Sequence, residues 1–314
     1  MSSERWAEFA ARFGTEEADE TAYLKPAPIL KTGFDSLDEH LFGGLRPGPH
    51  FLMAPPGLGK SSFALNVALS VARRGGRVLF CSLEMGRQQC LARLSSCLST
   101  DAGTGLKPVS WSGWESGGRD TARRFYEAVR SHGEPEGVAE IEADPRIRAM
   151  RELRRVAPGL AVSDGPGISD CSALAATARE GRAAGLNLLV IDYLQRLRPP
   201  QGLDGADSVR RVAETVQAVT ELAKSLQIPA LVITSMSREA AKSGKPSLFA
   251  AKGAGDIEFD AVSMWQLTRT GETATNGMRG IALHVLKARV GIETGDNPIP
   301  LGFDGAHSRF EEWR

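Results

Sequence analysis

The stretch Ala54-Pro-Pro-Gly-Leu-Gly-Lys-Ser-Ser62 decides the fold. It satisfies the phosphate-loop pattern G-x-x-x-x-G-K-[ST] at every position except the first, where Ala54 replaces glycine. Such a loop curls so that consecutive N–H groups face one anion, and the helix that follows adds partial positive charge at its N-terminus. The flanks supply that setting. The apolar run His50 to Met53 suits a strand, and in Ser61 to Arg74 the residues Phe63, Val67 and Val71 recur every four positions, as in a helix packed on a sheet. In this context Pro56, Gly57, Leu58, Gly59, Lys60, Ser61 and Ser62 are the candidate nucleotide cradle. Gly57 and Gly59 let the backbone approach the phosphates, Lys60 reaches the β- and γ-phosphates, and the Ser61 hydroxyl ligates Mg²⁺. ATP and Mg²⁺ are therefore the expected cofactors.

Outward from the loop, strand and helix patterns alternate. "RVLFCSLE" (77–84), "LAVSD" (160–164), "NLLVID" (187–192) and "ALVITS" (230–235) read as strands. Helices are predicted over 88–98, from about Ser169 (its N-cap) to Ala184, and over Ser208 to Leu226. The last carries Val209, Val212, Val216, Val219, Leu222 and Leu226 as a core-facing stripe. "VSMWQLT", "GIALHVLKA" and "PIPLGFD" form a β-rich tail. The expected fold is α/β: a mostly parallel sheet with helices on both faces and an antiparallel C-terminal edge. Between about 99 and 158 the alternation fails. That region reads as a variable insertion with one or two surface helices, in which Trp111 and Trp114 are local packing anchors.

Composition limits the partners. Lys+Arg and Asp+Glu both number 38 in 314 residues, so nucleic-acid binding requires a local patch. Cys81, Cys90, Cys97 and Cys171 form no C-x-x-C pair and read as reduced packing residues. No apolar run approaches membrane-spanning length and the charged N-terminus is not a signal peptide, so a soluble cytoplasmic protein is expected.

Two carboxylates complete the predicted chemistry. Asp192 ends the apolar run "LLVID", where a carboxylate can hold Mg²⁺ opposite Ser61. Glu84 follows "LFCSL" at a neighbouring strand mouth and can orient or deprotonate the attacking water. An ATP hydrolase is expected.

Seven segments in order carry a resemblance: "TGFDSLDEHLFGGLRPG" (32–48), "APPGLGKSS", "CSLEM" (81–85), "VIDYLQ" (190–195), "SMSRE" (235–239), "GAGDIEFDA" (253–261) and "LKARVG" (286–291). The chain resembles the C-terminal ATPase domain of DnaB-type replicative helicases, within the RecA-like P-loop group, from about residue 31 to 314. Alanine at the first loop position is common there. The resemblance implies a RecA-like ATPase domain over 31–314, a homo-oligomeric, hexameric ring with nucleotide sites between subunits, and a motor acting on single-stranded DNA. It implies that Lys60, Ser61, Glu84 and Asp192 form the site within one subunit, and that Lys287 and Arg289 reach the adjacent subunit's nucleotide. Arginine suits that role because its planar fork neutralises charge spread over phosphate oxygens. Read alone, the pair is better taken as two cations exposed on one strand face.

By the same family position, Arg238, Lys242, Lys245, Lys252 and Gly253 are the candidate DNA-binding loop. Residues 1–30 read as a docking helix, with Trp6, Phe9, Ala10 and Phe13 on one face, followed by a linker that can reach a neighbouring subunit. Two departures keep an alternative open. Ser235 stands where the family usually has a γ-phosphate-sensing glutamine, and only about thirty residues precede the first shared segment, so primase recruitment through an N-terminal domain is not expected. The alternative is a RecA-like ATPase switch that assembles with a protein partner or loader without unwinding DNA. A self-phosphorylating regulator resembling KaiC is a third reading, for which no acceptor site is identifiable.

Overall fold

The computed structural model describes residues 29–102, 108–114, 145–200, 207–243, 245–250, 254–273 and 277–313. Within them one nine-stranded sheet runs in the order β3-β2-β4-β5-β1-β6-β7-β8-β9. The strands are β1 (Gly48–Met53), β2 (Val78–Ser82), β3 (Leu160–Ser163), β4 (Leu188–Asp192), β5 (Pro229–Thr234), β6 (Ser263–Thr273), β7 (Arg279–Ala288), β8 (Ile299–Asp304) and β9 (Arg309–Glu312). Pairings from β3 across to β6 are parallel. Those from β6 to β9 are antiparallel. The expected mixed sheet is present, with one further strand, β9, that the sequence patterning did not identify.

Every residue of β1, β2, β4 and β5 is buried, which explains their unbroken apolar runs: both faces are covered. On one face, α2 (Lys60–Arg73), α3 (Arg87–Ser99) and α4 (Pro145–Val156) share a core with the β6–β9 strands; Phe63, Leu94, Met150, Trp265 and Phe303 meet there. The other core lies under α5 (Cys171–Ala183) and α6 (Ser208–Leu226). A short helix, α1 (Asp35–His40), precedes β1, and α7 (Arg238–Ser243) and α8 (Ala254–Asp260) lie between β5 and β6.

Three local expectations are corrected. The N-cap of α5 is Asp170, whose carboxylate accepts from Ala173 N at 2.8 Å; Ser169 instead donates its hydroxyl to the Pro166 carbonyl. A carboxylate is the stronger acceptor for a helix N-terminus. Val212, Val216, Val219 and Leu222 are buried as the α6 stripe requires, but Val209, in the first turn, is 63% exposed. In the 99–158 region, α4 is more than a surface helix: Ile147, Ala149, Met150 and Val156 are buried against the core. All four cysteines are free and buried. No described helix is long and apolar enough to cross a membrane.

Candidate functional site

Parallel register brings the chemistry to one edge. Met53 pairs with Thr234 and Ser82 with Asp192, so the segments leaving β1, β2, β4 and β5 emerge side by side at their carboxyl ends. There a cavity of 530 Å³ is lined by Pro56, Gly57, Gly59, Lys60, Ser61 and Ser62, and by Glu84, Asp192 and Ser235.

The loop holds its shape through burial at both ends. Ala54 is 1% exposed and packs in the core, so its methyl group is accommodated where the motif usually has glycine; Leu58 anchors the turn at 4% exposure. Gly57 and Gly59 have φ of 78° and 85°, the left-handed region that side chains rarely enter. At Gly59 a Cβ would also lie 2.6 Å from Phe303. The helix α2 begins at Lys60 with no side-chain cap and no acidic residue in its first turn. By contrast, Asp170 and Asp207 cap α5 and α6. The free N–H groups and the dipole of α2 therefore face the cavity, which suits an anion.

Lys60 Nζ donates to the Ala54 carbonyl at 2.8 Å and the Pro55 carbonyl at 3.3 Å. Burial lowers its pKa, while Asp192 and Glu84 act to raise it. Asp192 is 1% exposed, and burial pushes its carboxyl up to about 6, an effect that the Ser61 hydroxyl and the Lys60 charge oppose. Asp192 Oδ2 is buried without a hydrogen-bond partner. An orphaned carboxylate oxygen beside a serine hydroxyl fits a hard, oxygen-seeking cation such as Mg²⁺. Glu84 is exposed, just beyond β2, and its backbone is fixed on both sides: Leu83 N donates to the Asp192 carbonyl at 2.7 Å, and Ser82 Oγ to the Met85 carbonyl at 2.6 Å. Gln195 joins the ends of β4 and β5, donating to Thr234 Oγ1 at 2.7 Å and accepting from Ser235 N at 3.0 Å.

Lys287 and Arg289 do not line this cavity. Lys287 Nζ donates to the Glu258 carbonyl, and Arg289 donates to the carbonyls of Phe259 and, at 2.9 Å, Ala261. Arg289 N bonds the Val262 carbonyl and Val262 N the Pro49 carbonyl, so Arg289 lies level with the start of β1, whereas Lys60 lies beyond its end. Of the candidate DNA loop, Arg238 and Lys242 fall on α7, where only the backbone is described; Lys245 is exposed; Lys252 and Gly253 lie outside the described residues. The predicted docking helix with Trp6, Phe9 and Phe13 also lies outside them.

Among the further residues that line the cavity and that sequence reasoning did not place there are Arg93, Trp111, Arg279 and Phe303. Arg93 stacks on the Trp111 ring at 4.4 Å and Arg279 on the Phe303 ring at 5.0 Å. Trp114 is buried in the core, as a packing anchor should be, but Trp111 is a wall of the cavity.

A family model described as the DnaB-like helicase C terminal domain matches residues 30–107 and 132–312. The replicative DNA helicase DnaB of Leifsonia xyli subsp. xyli is 29% identical over 289 residues, covering 90% of this chain and 56% of that relative. The replicative DNA helicase DnaC of Bacillus subtilis is 27% identical over 235 residues, 74% of this chain and 45% of its own. The chain thus spans about half the length of the curated relatives it matches. Among solved structures, one described as an ATPase domain superposes with a TM-score of 0.70 at 18% identity, covering 100% of both chains. A DnaB-like replicative helicase, solved in work on its interactions with primase, gives 0.70 at 17% identity over 100% of this chain and 68% of its own; at such identity the likeness shows the fold. With the family match spanning both the phosphate loop and the β7 cations, the chain belongs to the DnaB-like helicase C-terminal domain family.

Proposed function

We propose that this chain is an ATP-hydrolysing RecA-like motor that works as a ring on single-stranded DNA. One observation carries the catalytic part of this reading. An uncapped helix N-terminus, Lys60, the Ser61–Asp192 pair with its orphaned oxygen, and Glu84 surround one cavity.

In this reading, α2 and Lys60 bind the β- and γ-phosphates, and Ser61 and Asp192 hold Mg²⁺. The metal, when bound, neutralises charge developing on the phosphate oxygens. Glu84 orients the attacking water and accepts its proton, which its exposed position at the cavity mouth permits. Arg93, whose Nη1 is buried without a hydrogen-bond partner, supplies a cation from the same subunit to the terminal phosphate. Arg279, held over Phe303, suits stacking on the base. Lys287 and Arg289 complete a neighbouring subunit's site, which requires them to leave the carbonyls they now bond.

Arg238, Lys242, Lys245, Lys252 and Gly253 contact DNA in a ring whose channel concentrates charge that the neutral chain does not show. Residues 1–30 dock on the adjacent subunit; deleting 1–14 should shift the assembly toward monomer, as read by light scattering with ATP and Mg²⁺. The four buried free thiols fit a reducing, cytoplasmic compartment.

Ser235 favours a second reading. It lines the cavity where a longer amide would reach the γ-phosphate, so coupling to DNA through it is weakened, as in an ATPase switch that answers to a protein partner. ATPase rate measured with and without single-stranded DNA separates the two. A motor is stimulated by the strand; a switch is indifferent to it.

A further inference from the structure

Trp111 lies between the two stretches that the family model matches, in a segment outside the parallel sheet, yet it forms part of the nucleotide cavity. Its placement is built from several directions. Ser96 Oγ donates to the Val109 carbonyl at 2.7 Å, holding the segment on α3. Trp111 N donates to the Ala306 carbonyl at 3.0 Å and its indole Nε1 to the Gly305 carbonyl at 3.2 Å, pinning it to the turn between β8 and β9. Trp114, one helical turn on, is 7% exposed and roots the segment in the core.

The ring so fixed carries Arg93 on its face at 4.4 Å. Arg93 comes from the middle of α3, where a long flexible side chain has many rotamers. Its guanidinium acts on Asp192 electrostatically, and Nη1 is buried without a hydrogen-bond acceptor. A cation that lines the cavity and carries an unsatisfied donor suits a ligand oxygen. Stacking removes the rotational freedom that Arg93 would otherwise lose on binding.

We propose that Trp111 is a positioning residue of the nucleotide site: its indole holds the Arg93 guanidinium in the cavity wall, ready for the terminal phosphate. The proposal rests on the reading of this cavity as an ATP site and adds a part contributed by the segment that the family model leaves unmatched. Trp111 touches no reacting atom in this role. It acts through Arg93, so removing either residue should cost the same interaction.

The test is a double-mutant cycle on triphosphate preference, the ratio of ADP to AMP-PNP dissociation constants with Mg²⁺, measured by calorimetry on the full chain. Arg93→Ala and Trp111→Ala should each lower the ratio by about tenfold, within the range a desolvated cation–aromatic contact supplies. The double variant should fall no further. Trp111→Phe keeps an aromatic face and should retain most of the preference. Should Trp111→Ala fail to fold, Arg93→Lys serves: it keeps the charge but loses the planar fork, and should lose the preference. An unchanged ratio in Trp111→Ala, losses that multiply in the double variant, or full preference in Arg93→Lys would each overturn the proposal while leaving the ATP site intact. A wild-type chain that binds neither nucleotide would overturn the ATP site and the proposal together.

Discussion

At the carboxyl ends of β1, β2 and β4, Lys60 faces Asp192 and Glu84 across one cavity; at the far end of β7, Lys287 and Arg289 bond the last carbonyls around helix α8. The first group is assembled by the parallel register alone. The second has satisfied itself locally, because the final carbonyls of a helix have no intrahelical partner and carry partial negative charge that attracts cations. α8 also follows the candidate DNA loop directly. The difference teaches that the groups around the cavity are preformed within the subunit, whereas on the proposed reading Lys287 and Arg289 must exchange partners to act.

The largest effect should come from the preformed half. Lys60→Ala should abolish nucleotide binding measured by calorimetry, since no other described lysine lines the cavity. Glu84→Gln should bind ATP normally but hydrolyse it about 10²- to 10⁴-fold more slowly, the usual span for a positioned acid–base group. A wild-type hydrolysis rate in that variant would remove Glu84 from the preformed half.

A smaller effect is expected in the loop that precedes α8. Replacing Lys242, Lys245 and Lys252 by alanine should weaken single-stranded DNA binding and reduce the slope of log K against log salt by about 0.7 per lost phosphate contact. Unchanged slope and affinity would separate the loop from DNA.

The smallest effect concerns the joint between the halves. His50 on β1 bonds the Ser263 hydroxyl on β6 at 2.7 Å and the Arg46 carbonyl at 2.8 Å, and is 1% exposed. The carbonyl accepts from Nε2–H, so Nδ1 accepts from Ser263 and the ring is neutral. Burial lowers its pKa from 6.5 to about 4, against the opposing Arg46 bond. The unfolded chain therefore takes up a proton that the folded chain refuses between those values. Stability is fully present above about pH 6.5 and is lost as pH falls toward 4, by about 2 kcal/mol between pH 7 and pH 5. Urea unfolding at the two pH values measures this, and His50→Gln should flatten the dependence.

Much of the preformed half was legible in sequence because each of its parts ends an apolar run: Met53 before the loop, Ser82 before Glu84, Asp192 itself. Strand runs buried on both faces leave a strong signal. Arg93, Trp111, Arg279 and Phe303 left none, since they reach the cavity from α3, the 108–114 segment, β7 and β8, and only tertiary packing such as Trp111 on Gly305 brings them together. β9 was missed because Arg309–Glu312 is a short polar edge with one buried residue, Phe310. Asp170 and Ser169 are adjacent and both suit an N-cap, so periodicity could not choose between them. The β7 cations were legible only through the "LKARVG" resemblance, and their bonds to α8 depend on folding.

The division into two halves is tested most directly by mixing subunits. On the proposed reading, Arg289→Ala removes the part given to a neighbour and Asp192→Ala the part kept at home. Each variant alone should hydrolyse ATP poorly. In mixed rings, some interfaces pair an intact Asp192 with an intact Arg289, so ATPase activity should recover above the sum of the separate variants. Verified mixed assemblies with no recovery would contradict a site shared between subunits.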